Sequence, residues 1–277
     1  MNINQLAPGV FYANTYPTFG CVVTREGVVA VDGPMKPTEA AEWRAFLESK
    51  GPIRYIIHTE HHQDHIAVNG FMPGTVVASR LTDADFFKSV PSSEVAVERM
   101  RKYDPAAGGL LEGYRLRTPE IVYDGGFTLR LGGETFRLRH SPGHTRGQTA
   151  VHAAGTRVAF TGDNITPGGH PFFHSASVWA WFDSLDYLES LDVDWYIPGH
   201  GDPCRKEEIA RQREKMEAVV AQVRLLKGMG KSRQEVQQDA KYIHRAGQGY
   251  PRILGDRAFE LEAAGLGAVY DALEERR

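Results

Sequence analysis

Several features that define other classes of protein are scarce or absent in this sequence. Its 277 residues contain only two cysteines, Cys21 and Cys204, so neither a disulfide framework nor a cysteine-based zinc site is predicted. The formal net charge is only −3, which argues against nucleic acid or an anionic membrane as the main partner. No apolar run approaches the roughly 20 residues of a membrane span, and the N-terminus lacks the pattern of a signal peptide. We therefore expect a cytoplasmic protein.

Strand patterns are frequent in the first two hundred or so residues. Apolar or alternating runs predict strands at “GVFYANT”, “GCVVT”, “VVAVDG”, “IRYIIH” and “TVVAS”. Apolar and polar residues alternate on both sides of Gly132-Gly133, which predicts a β-hairpin. A further pair of strands in “QTAVHAAGTRVAFTGD” ends on Asp163, and “DWYIPGHG” contains one more. The short, mostly apolar run “IRYIIH” is typical of a strand that is buried on both faces.

Helical patterns separate these strands. We predict helices over 39–50, with Thr38 as the N-cap, over 81–103 and over 177–191. The glycine- and proline-rich segment 104–126 is expected to be a loop that covers a pocket. Groups of strands separated by helices predict a layered α/β sandwich with its site along one sheet edge.

The C-terminal part of the chain is mostly charged, amphipathic helix. From residue 203 onward the pattern breaks at “GMGKS” and at “GQGYP”. We therefore predict an α/β domain over residues 1–205 and a helical C-terminal extension over 206–277 that packs on it. Its amphipathic pattern fits three roles equally well. The extension could cover the sandwich, add a wall to the pocket or form a homodimer contact.

Four separate segments place metal-binding side chains after apolar runs. They are “EHHQDH” (60–65), “SPGHTRG” (141–147), “TGDN” (161–164) and “IPGHG” (197–201). Imidazole and carboxylate together suit zinc, iron or manganese. Alone, a “PGH” is more often a turn with a solvated histidine, and a “TGD” fits a helix cap or an Asx-turn. The dense run “HTEHHQDH” is different, because its imidazoles would repel one another as cations unless they are neutral and bound to metal.

In this order, the four segments resemble the metallo-β-lactamase fold superfamily. There, an H-x-H-x-D-H motif, a later histidine, a bridging aspartate and a final histidine bind two metals. The resemblance covers roughly residues 8–205, and “FTGDN” and “PGHG” are more similar to the glyoxalase II and lactonase branches than to the antibiotic-hydrolysing ones. It implies an αββα sandwich of two mixed β-sheets flanked by helices.

The resemblance also implies which residues bind the two metal ions. The motif gives two histidines to the first metal, an aspartate and two histidines to the second, and one bridging aspartate. In this chain these are His62 and His144, then Asp64, His65 and His200, and finally Asp163. Glu60 occupies the position of the first motif histidine, and we predict it to be a ligand because His₂Glu is an established zinc set. The alternative is a weakened first site, with one metal held mainly by the second set.

The resemblance further implies metal-assisted hydrolysis of an ester, thioester or lactone in a small-molecule substrate. A hydroxide that bridges the two metals would attack the substrate, and Asp64 would orient it. “TPGGHPFFH” offers His170 and His174 as acids for the leaving group, although solvated loop histidines are an equally good interpretation. We expect zinc as the metal. Carboxylate at Glu60 also allows manganese or iron.

Three other functions compete with this one. His62, His144 and Asp163 would suit a mononuclear iron enzyme similar to the persulfide dioxygenases, although His65 and His200 would then have no use. A β-lactamase is the second, and Asp163 fits that class poorly. The third is a degenerate metal-binding module without catalysis, in which Glu60 marks the loss of activity.

Overall fold

The strands form two sheets whose inner faces share one hydrophobic core. The computed structural model describes residues 1–239 and 257–275. The first sheet has seven strands in the order β1 to β7, and the second has five in the order β12-β11-β10-β9-β8. The first consists of β1 (Asn4–Ala7), β2 (Val10–Asn14), β3 (Thr18–Thr24), β4 (Gly27–Val31), β5 (Ile53–Ile57), β6 (Thr75–Ser79) and β7 (Ile121–Tyr123). The second consists of β8 (Gly126–Leu131), β9 (Glu134–His140), β10 (Thr149–Ala153), β11 (Val158–Gly162) and β12 (Trp195–Pro198).

Both sheets are mixed, as the sequence predicts. In the first sheet, β1 to β4 pair antiparallel and β4 to β7 pair parallel. In the second, β11 and β12 are parallel and the other pairs are antiparallel. The predicted hairpin is confirmed: Leu131 pairs with Glu134 across Gly132 and Gly133. Both of these glycines have positive φ, which a tight hairpin turn of this kind requires.

Strand β4 illustrates why the chain folds into layers. Its valines 29 and 31 point into the core between the sheets, where they meet residues such as Phe136 and Phe160 of the second sheet. Val28 and Ala30, on the opposite face, pack with Trp43 of the first helix. Because alternate residues of a strand face opposite sides, a strand that is apolar throughout is buried on both.

Helices cover the outer faces of both sheets. They are α1 (Pro37–Lys50), α2 (Gln63–Ile66), α3 (Arg80–Ser89), α4 (Ser93–Tyr103), α5 (Val178–Ser190), α6 (Glu207–Gly228), α7 (Arg233–Gln238) and α8 (Arg257–Glu275). Helix α1 packs on the first sheet, and α5, α6 and α8 share a core with the second. The αββα sandwich is therefore confirmed. Within the described ranges, no helix has the length and apolar character that crossing a membrane requires.

Three local predictions need correction. Helix α1 begins at Pro37 without a side-chain cap, and the Thr38 backbone N–H instead donates to the Asp104 carboxylate at 2.8 Å. The single helix expected over 81–103 is two helices. Pro91 disfavours helical geometry in the residue before it, and Ser92 caps the second helix.

The third correction concerns segment 104–126, for which the sequence predicts a loop over a pocket. The segment contains a 3₁₀ helix, Pro105–Leu111, and strand β7. None of its residues lines the cavity described below, so within the described structure it covers no pocket there.

The C-terminal region is helical, as predicted. The break at “GMGKS” is confirmed, since α6 ends at Gly228 and Ser232 caps α7. The break at “GQGYP” lies outside the described residues. Helix α8 contacts α5, α6 and α7. The division of the chain into two domains near residue 205 stays a prediction.

Candidate metal centre

The candidate centre lies at one edge of the sandwich, where parallel strands end. Strand β5 leads into 58–62, β11 into Asp163 and β12 into Gly199 and His200, while His144 lies between β9 and β10. The carboxyl ends of parallel neighbours lie at the same edge, so the two sheets bring these segments together. Gly199 allows the close approach, because a Cβ atom there would collide with the Asp163 carboxylate.

One set of predicted ligands, Asp64, His65 and His200, forms the group that we call the aspartate–histidine cluster. His200 Nε2 lies 3.3 Å from Asp64 Oδ2 and 3.4 Å from Asp163 Oδ2. His65 Nε2 lies 3.3 Å from Asp163 Oδ1. A tetrahedral ion with bonds of about 2.0–2.2 Å separates its ligand atoms by about 3.3–3.6 Å. The distances between these atoms therefore suit a metal ion.

A second group, His62, His144 and His174, forms what we call the imidazole cluster. His62 Nδ1 and His144 Nε2 are 3.2 Å apart, and the candidate ligand atoms of all three residues lie within 4.8 Å of one another. His144 Nε2 is also 3.6 Å from Asp163 Oδ2. Asp163 therefore reaches both clusters, which is the position that the bridging prediction requires.

Glu60 is fully buried between the two clusters. Its Oε1 atom lies 3.6 Å from both His65 Nε2 and His144 Nε2, and its Oε2 atom lies 2.7 Å from His62 Nδ1. Neither oxygen has a hydrogen-bond partner of normal geometry among the described residues, nor do His65 Nε2 and Asp163 Oδ1. Buried polar atoms are rarely left unpaired. Converging atoms without partners fit a site for cations.

The electrostatics of the centre favour ionised carboxylates. Burial alone would raise the pKa of Asp163, but His200 and His65 hold it well below the usual value. At Glu60, too, burial would raise the pKa, but His62 and His144 lower it below the usual value. Burial alone would lower the pKa of His200, but the Asp163 and Asp64 carboxylates raise it to about 10. The negative charge is thus available to a metal ion, which would displace the proton from His200.

Asp32 supports the aspartate–histidine cluster, although the sequence pattern did not single it out. Its Oδ2 atom lies 2.9 Å from His65 Nδ1 and accepts a hydrogen bond from the hydroxyl of Thr59. Its Oδ1 atom accepts a hydrogen bond from the backbone N–H of Thr59. A carboxylate on the far nitrogen orients a metal-binding imidazole and strengthens it as a ligand. The available signal was an aspartate directly after the buried strand β4, in “VVAVDG”.

A backbone carbonyl group and an asparagine side chain support His144 in a similar way. Its Nδ1 atom lies 2.7 Å from the Phe172 carbonyl oxygen, which leaves Nε2 directed at the centre. Its backbone N–H donates to Asn164 Oδ1 at 3.0 Å. Asn164 therefore links the loop of His144 to the strand end that carries Asp163.

The structure separates the two histidines that the sequence offers as acids. His174 lines the cavity, whereas His170 does not and lies with its Nε2 atom 3.8 Å from Glu262 Oε2 of α8. Burial, and then the neighbouring His144 and His62, lower the pKa of His174 to about 2. A neutral imidazole is a poor acid and a good ligand, so its environment does not favour the predicted proton donation. The assignment of His170 stays a prediction.

The centre opens into a cavity of about 430 Å³, a size that suits a small molecule. Asp64, Asp163 and the imidazoles of His62, His144, His174 and His200 form part of its wall. Other residues that line it are Tyr16, Met35, Lys88, Ser89, Arg99, Tyr103 and, from α8, Leu261. His61 also lines the cavity but belongs to neither metal cluster. His58 is buried behind the centre, with its Nε2 atom 3.1 Å from Asn69 Nδ2.

The fold and the centre define a class of protein. The chain belongs to the metallo-β-lactamase superfamily, whose family model matches residues 20–200. Among solved structures, a metallo-β-lactamase family protein from Thermus thermophilus aligns with 98% of this chain and 95% of its own, at 17% identity and a TM-score of 0.71. The sec-alkylsulfatase Pisa1 from a Pseudomonas species aligns with 98% of this chain and 50% of its own, at 15% identity and a TM-score of 0.72. At such identities the likeness concerns the fold alone.

Curated relatives are somewhat closer in sequence. The alpha subunit of 2,4-dinitroanisole O-demethylase from Nocardioides sp. (strain JS1661) is 28% identical over 63% of this chain and 49% of its own. A hydroxyacylglutathione hydrolase from Cereibacter sphaeroides (strain ATCC 17025 / ATH 2.4.3) is 27% identical over 56% of this chain and 51% of its own. The matched region thus spans about half the length of these relatives. The comparisons are consistent with a metal-dependent hydrolase.

Proposed function

We propose that this protein is a hydrolase with two divalent metal ions, most simply zinc, that cleaves an ester, thioester or lactone. The observation that carries the proposal is the convergence of Asp64, His65, His200 and Asp163, with ligand atoms 3.3–3.8 Å apart, beside the cavity that all of them except His65 line. Bound there, the ions would polarise the substrate oxygen and acidify an attacking water molecule.

The chain's own residues would do the rest. Asp163 reaches both clusters, so it would hold the two ions at a fixed separation. Burial opposes ionisation of Asp64, but His65 and His200 lower its pKa to about 2. At neutral pH it is therefore an acceptor, which suits orientation of the attacking water. Phe172 and Tyr16, which are near His200, would limit the access of bulk water to the centre.

The substrate class comes from the relatives and is tested with a panel. Purified protein would be analysed for metal content and assayed with a hydroxyacylglutathione, a γ-lactone, an aryl ester, a β-lactam and 2,4-dinitroanisole. We expect about two metal equivalents and turnover of a thioester, ester or lactone. The matched control is His200→Ala, which should be inactive on the same substrate.

Other outcomes would support the competing functions. Bound iron with consumption of oxygen would favour the dioxygenase-like enzyme, in which His62, His144 and Asp163 hold the metal. Turnover of the β-lactam alone would favour a β-lactamase. Folded protein that binds no added metal and turns over nothing would mean a module without catalysis.

A further inference from the structure

His174 lies in the cavity as predicted, but its surroundings do not favour the predicted role of an acid. It lines the cavity beside His62 and His144, with both ring-centroid distances at 5.2 Å. Its Nδ1 atom is buried and has no hydrogen-bond partner within the described structure, as is also true of the ligand candidates His65 Nε2 and Asp163 Oδ1. We propose that His174 is a metal ligand that completes a three-imidazole set with His62 and His144. The inference rests on the proposed function.

This assignment explains how the centre tolerates a glutamate at position 60. The family motif places its first histidine there, and the chain would otherwise offer only two imidazoles to the first metal. Glu60 approaches from the buried base, where its Oε1 atom lies 3.6 Å from both His65 Nε2 and His144 Nε2 and its Oε2 atom lies 2.7 Å from His62 Nδ1. His174 approaches from the cavity wall. A third imidazole from that side would restore the ligand type that zinc favours, with Glu60 at the buried base of the site.

The three residues 172–174 are held so that His174 faces the centre. The carbonyl group of Phe172 binds His144, and the side chain of Phe173 is buried against Trp181 at a ring-centroid distance of 5.2 Å. Helix α8 closes the other side. A Cβ atom at its Gly265 would lie 3.2 Å from Phe173 Cβ and 3.4 Å from the backbone nitrogen of His174. The segment is therefore fixed by the core and by α8 together.

Zinc affinity is the direct test, because it requires no substrate. Affinities would be measured by competition with a chromogenic chelator for the parent, His174→Phe and His174→Ala. Phenylalanine keeps the ring and loses the nitrogen atoms, so it separates coordination from packing. Loss of outer-sphere partners alone weakens metal binding about 10–100-fold, so we expect one zinc to weaken by about 100-fold or more in both variants. His152→Phe, at a buried histidine of β10 that lines neither the cavity nor either cluster, should bind zinc like the parent.

X-ray absorption of zinc-loaded protein gives a second readout, in which the variants should show fewer imidazoles than the parent. Unchanged zinc affinity and an unchanged imidazole count in His174→Phe would overturn the proposal. If that variant does not fold, His174→Ala is judged by the same two measurements. A parent that binds only one zinc would contradict the two-metal proposal instead, and His174 is then judged by whether that single ion weakens.

Helix α8 offers an independent check that leaves His174 itself unchanged. Gly265→Ala should displace the segment 173–174 and weaken the same zinc about tenfold, the lower end of an outer-sphere effect. Gly267→Ala is the matched control in the same helix, since its Cβ would meet the movable ends of the Arg233 and Gln237 side chains. Equal zinc affinities in the two variants would argue that α8 does not position the ligand.

Discussion

The two clusters of the metal centre differ in how they are built. The aspartate–histidine cluster takes two candidate ligands from adjacent positions, Asp64 and His65, and a buried carboxylate at Asp32 lies 2.9 Å from the second of them. The imidazole cluster takes one residue from each of three distant segments, and Glu60 occupies the place of its usual histidine. In the first cluster, therefore, only His200 comes from a distant segment of the chain. The geometry of the second depends on how three distant segments pack against one another.

The largest expected effect is on the aspartate–histidine cluster. His200→Ala removes an imidazole nitrogen that lies 3.3 Å from Asp64 and 3.4 Å from Asp163. We expect kcat/KM for the best substrate of the panel to fall by more than about 100-fold, because even outer-sphere changes cost about 10–100-fold. Circular dichroism would establish that the fold is retained. Activity within about tenfold of the parent would remove this cluster from the mechanism.

A bridging residue should affect both clusters at once. Asp163→Asn removes the charge that reaches His65, His144 and His200. Zinc titration should show that both ions bind more weakly, by about 10–100-fold or more. If only one ion weakens, Asp163 is a terminal ligand and the clusters are less coupled than we propose.

Asp32→Asn sharpens the comparison, because Asp32 contacts only one cluster's ligands. Asparagine tolerates the left-handed backbone of this position, where φ is 54°. The ion at the aspartate–histidine cluster should weaken about 10–100-fold, while the ion at the imidazole cluster should change little. Equal weakening of both ions in the zinc competition assay would contradict the separation of the clusters.

The smallest expected effect concerns Glu60 and the pH profile. Glu60→His makes the centre one charge more positive, which favours the deprotonated form of the attacking water. The pH at which the rate reaches half its plateau should therefore fall by about 0.5–1 unit. Glu60→Gln removes the charge and keeps the size, so it should shift the midpoint in the same direction and weaken metal binding. Unchanged metal content and pH profiles in both variants would place Glu60 outside the coordination sphere.

Much of the fold, and the proximity of most candidate ligands, follows from the sequence. Gly132 and Gly133 between alternating runs predict the observed hairpin, and apolar strands that end in “EHHQDH” and “TGDN” predict clusters at one sheet edge. Such signals are local, because each depends on a few consecutive residues.

The parts that sequence reasoning did not predict depend on distant contacts. Asp32 supports His65 only because β4 and β5 are parallel neighbours. Thr38 lies inside α1, which begins at Pro37, and its N–H and hydroxyl both donate to Asp104, 66 residues away. The sequence marks His174 as a residue of interest but not its neighbours, since they depend on the packing of Phe173 and Gly265. No local pattern encodes these contacts.

The most direct test of the two-cluster account is an anomalous difference map, measured at the zinc edge, from crystals of the zinc-loaded protein. We predict two peaks about 3.5–4 Å apart. One should lie among Asp64, His65 and His200, and the other should contact His62, His144 and His174, with Asp163 between them. A single peak, or a second peak that His174 does not contact, would contradict the account.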